Sequence, residues 1–330
     1  MRKWMKLTVS LVVLTVLLLG CGGKSAENID AAPQKEAALA SDEGSSAEDI
    51  SATIKIYTDK AGRDVEVPVR PERIITVNMT AEAIALGVKP IGAADNWLVN
   101  LSDSQKEGIE SVGAVKALNF EKILELEPEL IITPMNVTDE EAIASLSKIA
   151  PTVVGPFFGD ALENIRTIGD LLDRSEEAEA WISAYQARSK ETKEKLADVI
   201  VEGSSALVVQ LSSKDNTYIY PSSTWPVVYD VLGLTLPDAA ELKTLTAAAS
   251  LSLEQLTEYD PEYIFLTTSG SDAGMDELVQ NYTDNAVWKG LSAVKNNHVY
   301  IMGSRLSSGD VLALDWALDE VVRAVEEVKN

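Results

Sequence analysis

Cysteine and histidine are almost missing from this 330-residue chain, which holds one of each, Cys21 and His298. A single thiol has no partner for an intrachain disulfide, and a single imidazole excludes a zinc site built from several histidines. His298 stands at Asn296-Asn297-His298-Val299, a turn entering a strand, where a solvent-facing role suffices. The chain also lacks a nucleophile elbow, a phosphate-binding loop, a dinucleotide fingerprint and paired-cysteine metal spacings. With no candidate base and nucleophile, an enzyme reading has little to stand on. Basic residues are scarce too: 28 Lys and Arg face 52 Asp and Glu, a formal net charge of −24. Such a surface argues against nucleic acid and against electrostatic docking on anionic lipid.

What is present begins with Arg2, Lys3 and Lys6 ahead of an apolar run from Leu7 to Leu19. The run is shorter than the roughly 18–20 residues of a spanning helix and ends on small residues, so residues 1–20 read as a secretory signal. Cys21 follows Leu18-Leu19-Gly20 directly, a spacing similar to a bacterial lipobox, in which the thiol receives a lipid before cleavage. Loss of residues 1–20 removes three basic and no acidic side chains and takes the charge to −27, so lipid rather than charge would hold the protein at a membrane. Residues 21–50 are small, polar and acidic with almost nothing to bury, which predicts a disordered tether. The stretch 51–330 exceeds the usual size of one domain.

Two copies of one unit lie within it. Asn119-Phe120-Glu121-Lys122-Ile123-Leu124-Glu125-Leu126-Glu127-Pro128-Glu129-Leu130-Ile131 matches Ser252-Leu253-Glu254-Gln255-Leu256-Thr257-Glu258-Tyr259-Asp260-Pro261-Glu262-Tyr263-Ile264 at five of thirteen positions, where roughly one would match by chance. Each copy gives a polar N-cap, a short amphipathic helix, an acidic-Pro-Glu stop and a buried strand. Two similar lobes are therefore expected, residues 51–160 and 204–330, with a connecting helical segment over 161–203. Glu121 and Glu254 fall at the second helical position of their copies. The helix dipole favours a carboxylate anywhere in a first turn, yet both copies place Glu at the same step.

Around the copies, Ile54–Asp59 and Arg63–Pro68 alternate as a hairpin. Strand and helix signals then take turns to Val154, the pattern of a parallel sheet covered by helices. Asp59-Lys60-Ala61-Gly62-Arg63-Asp64-Val65, Pro71-Glu72-Arg73-Ile74-Ile75, Ala85-Leu86-Gly87-Val88-Lys89-Pro90-Ile91-Gly92 and both Glu-containing copies, in this order and spacing, resemble the substrate-binding lipoproteins of ABC importers for iron-siderophores and vitamin B12. The likeness runs from about residue 54 to about 325. It implies an α/β fold of two Rossmann-like lobes with parallel sheets joined by one long helix, the class III periplasmic-binding-protein fold. Ser175 as cap, acids in the first turn and Ala178, Trp181, Ile182 and Tyr185 on one face predict that helix to about residue 200. The second lobe starts at Ala206–Leu211 and the alternating 217–220. It continues with a helix over Val227–Leu232, the second copy, a strand at 299–302 and a last helix over Val311–Val328.

Ligands of such sheets meet the loops at the carboxyl ends of the strands, and between two lobes the groove is the natural site. Those loops carry Asn96-Trp97, Pro134-Met135-Asn136, Phe157-Phe158, Tyr220 to Trp225 and Gly303-Ser304-Arg305. Trp97, Phe158, Tyr220 and Trp225 are candidate ligand contacts, although plain packing explains each singly; Trp181, Trp288 and Trp316 lie on helical stretches and read as core. Arg305 sits where the resembled proteins present a cation to the siderophore, and a surface role is its alternative. No cluster of cations awaits a polyanion, although Lys116 has access to the groove. Ferric catecholates and citrates, strongly anionic, would want several basic contacts, so a ferric hydroxamate is favoured, with the iron held by the chelator and no cofactor. The resemblance also implies that Glu121 and Glu254 dock arginine pockets on a membrane permease and, through it, its ATPase. The same scaffold holding haem or a corrinoid, a lipoprotein sensor, and an enzyme turning over a bound chelate remain as alternatives.

Overall fold

A computed structural model describes residues 53–134, 138–157, 159–213, 216–269 and 274–329. The signal, Cys21 and the tether lie outside these residues, as do Met135, Asn136 and Phe158. Residues Ile50–Asn330 form one compact unit.

The unit contains two five-stranded sheets. In the first, Glu110–Ser111, Gly92–Ala93, Ile74–Thr76, Leu130–Pro134 and Thr152–Gly155 lie side by side in that order, every pair parallel. The central strands Ile74–Thr76 and Leu130–Pro134 are buried throughout, as expected of a parallel sheet covered on both faces. An opening hairpin, Ile54–Thr58 with Asp64–Pro68, leans on its edge. Asp59 fixes that contact. Its buried carboxylate accepts from the Ala61 and Arg63 amides at 2.9 Å, from Val154 N at 3.1 Å and from the Arg63 guanidinium at 2.6 Å. Burial works against the charge, but these donors outweigh it and hold the carboxyl below its ordinary range. Gly62, at φ 75°, supplies the left-handed step of the turn.

In the second sheet the order is Ala249–Ser250, Asn216–Ile219, Ala206–Ser213, Tyr263–Thr268 and Val299–Ile301. Its last three strands are mutually parallel, and the other two pairings are antiparallel. The second sheet is thus mixed rather than a repeat of the first. Asn216 follows Ser213 too closely for a crossover, which leaves only a hairpin.

The duplicated unit has the same geometry in both lobes. The helices Phe120–Glu125 and Leu253–Tyr259 are capped by Asn119, accepting from Lys122 N at 3.0 Å, and Ser252, accepting from Gln255 N at 3.2 Å. Each ends on a left-handed acidic residue, Glu127 at φ 46° and Asp260 at φ 34°. The following Glu turns back to the start of the neighbouring strand. Glu129 accepts from the Glu72 and Arg73 amides at 2.7 and 3.1 Å, and Glu262 accepts from Ser204 Oγ at 3.0 Å and Ser205 N at 3.3 Å.

Between the sheets run the helices Ala161–Leu171 and Ser175–Leu196. The long helix begins at its expected cap, Ser175, rather than after it: Arg174 occupies the N-cap and its carbonyl accepts from Ala178 N at 3.0 Å. It packs on the closing helix Val311–Lys329, to which Arg188 is tied through Asp315 and Asp319 and Lys195 through Glu326 at 2.9 Å. One apolar cluster, including Ile74 and Ile132 of the first sheet, Ile182 and Leu196 of the long helix, Val321 of the closing helix and Val208 and Phe265 of the second sheet, runs through both lobes. The expected helix over 227–232 is a five-residue π-helical turn, Val227–Val231, closed by Leu232 N to Val227 O at 3.1 Å. Among the described residues no helix is long and apolar enough to cross a membrane.

Candidate functional site

A cavity of about 1170 Å³ opens between the two sheets. The first lobe contributes the segment after Ile74–Thr76 (Met79 to Glu82), Trp97 and Phe157; the second contributes Tyr220, Thr246 to Ala248 and Ser307 to Asp310. Most of these are loops and helix starts that follow strands, whereas Thr246 to Ala248 precede the strand Ala249–Ser250. The long helix walls one side with Tyr185, Gln186 and Ser189.

The candidate residues fall into different places. Trp97 lines the cavity and is pinned by its indole N–H, which donates to the Val77 carbonyl at 2.6 Å. Tyr220 also lines it, and its hydroxyl donates to Gln210 Oε1 at 2.7 Å while Gln210 Nε2 donates to Ser307 Oγ at 2.6 Å. Burial pushes the Tyr220 phenol above its ordinary value. Trp225 lies beneath: it is 1% exposed, meets Tyr220 edge-on at 5.6 Å and is not part of the lining. A large indole directly after a short 3-10 turn fills the core more readily than it faces water. Arg305 is half-buried in the 3-10 turn Ser304–Ser308, also off the lining. Its Nε is shielded from water without a hydrogen-bond partner, and its charge acts on Asp310. Lys116 is exposed and off the lining, and Phe158 lies outside the described residues. His298 stacks on Tyr263 at 4.5 Å.

The carboxyl groups of the cavity are residues that sequence reasoning missed. Glu82, in the helix Thr80–Ala85 of the first lobe, is 3% exposed. Burial first, then the neighbouring charge of Asp310, push its carboxyl up to about 8, against the Val311 amide that donates to it from the closing helix. Asp310 caps that helix through Ala313 N at 2.8 Å, and burial raises its carboxyl as well. Asp160 caps the helix Ala161–Leu171, accepting from Leu162 N at 2.7 Å, and its charge adds to burial in raising the Asp230 carboxyl. Asp160 and Asp310 cap helices far apart in the sequence, and nothing local to either says that they meet one cavity.

Glu121 and Glu254 are exposed on their helices. Because Glu129 and Glu262 reach the beginnings of the central strands, the helices before them end at the amino edge of each sheet. Their first turns, with Glu121 and Glu254, therefore lie toward the carboxyl edge, where the cavity is.

Two lobes over one cavity, held by a single long helix, define a binding protein of the two-lobed class. The profile described as periplasmic binding protein matches residues 77–306, and the chain belongs to that family. It is 26% identical over 311 residues to the iron(3+)-hydroxamate-binding protein YxeB of Bacillus subtilis, covering 91% of this chain and 89% of the relative. The iron-uptake system-binding protein of the same organism is 29% identical over 308 residues, covering 91% and 90%. Among solved structures, the triscatecholate siderophore binding protein FeuA from Bacillus subtilis, complexed with ferri-bacillibactin, superposes with a TM-score of 0.65 at 28% identity, over 83% of this chain and 98% of that one. The relatives are binding proteins, and this chain is a substrate-binding protein, not an enzyme.

Proposed function

We propose that this protein is the extracytoplasmic substrate-binding lipoprotein of an ABC importer. It captures a ferric siderophore of hydroxamate type between its lobes and delivers it to a permease and its ATPase. Anchorage is through a lipid on Cys21. The observation that carries this reading is the cavity: about 1170 Å³, somewhat above the usual range of drug-sized sites, walled by aromatic Trp97 and Tyr220 and free of arginine among the described lining residues. A tris-hydroxamate neutralises ferric iron, whereas a tris-catecholate leaves three negative charges that this lining would not compensate. Phe158 is proposed to contact the ligand from its loop, Trp97 and Tyr220 to pack on it, and Trp225 to support Tyr220 from below, while Arg305, expected as a ligand contact but off the lining, acts on Asp310 instead. Glu121 and Glu254 are proposed to dock on the permease.

The test is a fluorescence titration of the protein with ferric hydroxamates, ferric catecholates, ferric citrate, haem and a corrinoid. Quenching of Trp97 by a ferric hydroxamate at nanomolar concentration is expected. Preference for any of the other ligands would overturn the hydroxamate assignment, and no response to any iron chelate would overturn the siderophore reading.

A further inference from the structure

The two copies of the duplicated unit share a backbone and a carboxylate but not the surface around it. Glu121 and Glu254 are exposed at the same step of their helices, and among the described residues neither pairs with a cation; the lysine beside Glu121, Lys122, turns instead to Glu110 at 3.5 Å. The flank of Glu121 is apolar. Phe120 is 36% exposed and Leu124, one turn on, 60%, neighbouring positions on one helix face. At the matching places of the second copy stand Leu253 and Thr257. Leu253 is half-buried and packs against the apolar cluster of its own lobe, while Thr257 is exposed with its hydroxyl already engaged, donating to the Leu253 carbonyl at 2.9 Å. Gln255 is turned inward as well, accepting from the Ser252 amide at 3.0 Å.

Cap, buried stripe and proline stop are common to both copies, so folding of the unit does not require an exposed Phe120 and Leu124. Their difference from the second copy belongs to what the helix meets outside. A carboxylate flanked by apolar groups can meet a cation with water driven out, where the pair is strong, whereas one flanked by hydroxyls and amides keeps its water. A partner with a two-fold axis through the contact would offer the same lip to both lobes, and one of the two flanks would then be mismatched.

We propose that the permease surface is asymmetric: beside its arginine it presents an apolar lip to the first lobe, which covers Phe120 and Leu124, and a polar lip to the second, so that the protein docks in one orientation with Glu121 as anchor and Glu254 as guide. This rests on the docking reading above and names the kind of partner it requires, one whose two halves differ.

The experiment uses the full-length lipoprotein in its own cells, with the photoreactive residue benzoylphenylalanine in place of Leu124, of Thr257 or of Glu258, and identifies by mass spectrometry what each position is joined to after illumination. Position 124 is expected to join an apolar segment of a membrane permease, and position 257 a segment of different sequence. The same segment from both positions, or a joined 257 beside an unjoined 124, would overturn the asymmetry while docking stands. With position 258 as reporter, Leu124→Thr is expected to lower the joined fraction at least fivefold, and Thr257→Leu not to raise it. No loss from Leu124→Thr, or a several-fold gain from Thr257→Leu, would overturn the apolar lip or its restriction to one lobe. Leu124 and Thr257 are both exposed, so the Tm of each variant is expected to equal that of the parent. A permease joined to none of the three positions would overturn the docking reading and this inference with it, and leave chelate capture to the titration above.

Discussion

Tyr220, Gln210 and Ser307 form a relay across the floor of the second lobe in which every bond has one defined donor, Tyr220 Oη to Gln210 Oε1 and Gln210 Nε2 to Ser307 Oγ. Gln210 is 5% exposed, so water does not replace a lost partner. Tyr220→Phe keeps the ring and its edge contact with Trp225 but leaves the amide oxygen buried and unpaired, which costs about 1–3 kcal/mol. We expect a lower denaturant midpoint with an unchanged slope, and weaker chelate binding because the ring is no longer held upright. A midpoint equal to that of the parent would show that the relay does not hold the tyrosine. Trp225, by contrast, has no hydrogen bond at Nε1, so its contribution is packing alone. This is why aromatic residues in one loop, equal as sequence, divide into a surface that faces the cavity and a support beneath it.

At the scale of elements, the contact between the helix Thr80–Ala85 and the closing helix Val311–Lys329 joins the lobes at the cavity floor. Glu82 crosses that contact to the Val311 amide, facing Asp310, itself within reach of the Arg305 charge. A carboxyl whose pKa is raised by folding favours the folded state while protonated. That advantage is complete below its ordinary 4.5 and is lost as the pH climbs to about 8. Glu82→Gln keeps the shape and remains neutral. The Tm of the variant relative to the parent is therefore expected to rise between pH 4.5 and about 8, by several degrees at the upper end, and to level off beyond it. A difference that is the same at pH 4.5 and pH 8.5 would show that Glu82 is not held protonated by its surroundings. The duplicated helix–strand units were legible as sequence because their determinants are local: a cap, an apolar stripe, a proline stop. Glu82 was not, since in Thr80-Ala81-Glu82-Ala83 it reads as the polar face of a short helix, and the partner that decides its chemistry comes from the far end of the chain. The mixed second sheet escaped for a related reason. Alternation over 217–220 gives a strand but not its direction, and the short connection that fixes it counts only once the pairing partner is known.

At the scale of the molecule, two lobes share one apolar cluster through the long and closing helices, and further ties run along the helices through Arg188 and Lys195. Relative movement of the lobes must bend that core, so the mouth of the cavity changes by small angles, and a partner can read the two lobes as a surface of nearly fixed spacing. The exposed first turns carrying Glu121 and Glu254 are equivalent points on that surface, one per lobe, with Phe120 and Leu124 exposed on the same helix as Glu121. In water an ion pair at either point contributes only about 0.2–1 kcal/mol; once desolvated against a partner's arginine, truncation of one member costs about 2–5 kcal/mol. Glu121→Ala with Glu254→Ala is therefore expected to lower uptake of the iron chelate by cells tenfold or more, with the Kd of the isolated protein for the chelate unchanged within twofold. Each single variant should fall between, because one lobe alone still sets a foothold but not the register. Full uptake by the double variant would remove the docking role from both residues, and a weakened Kd would move them from the outer surface to the cavity.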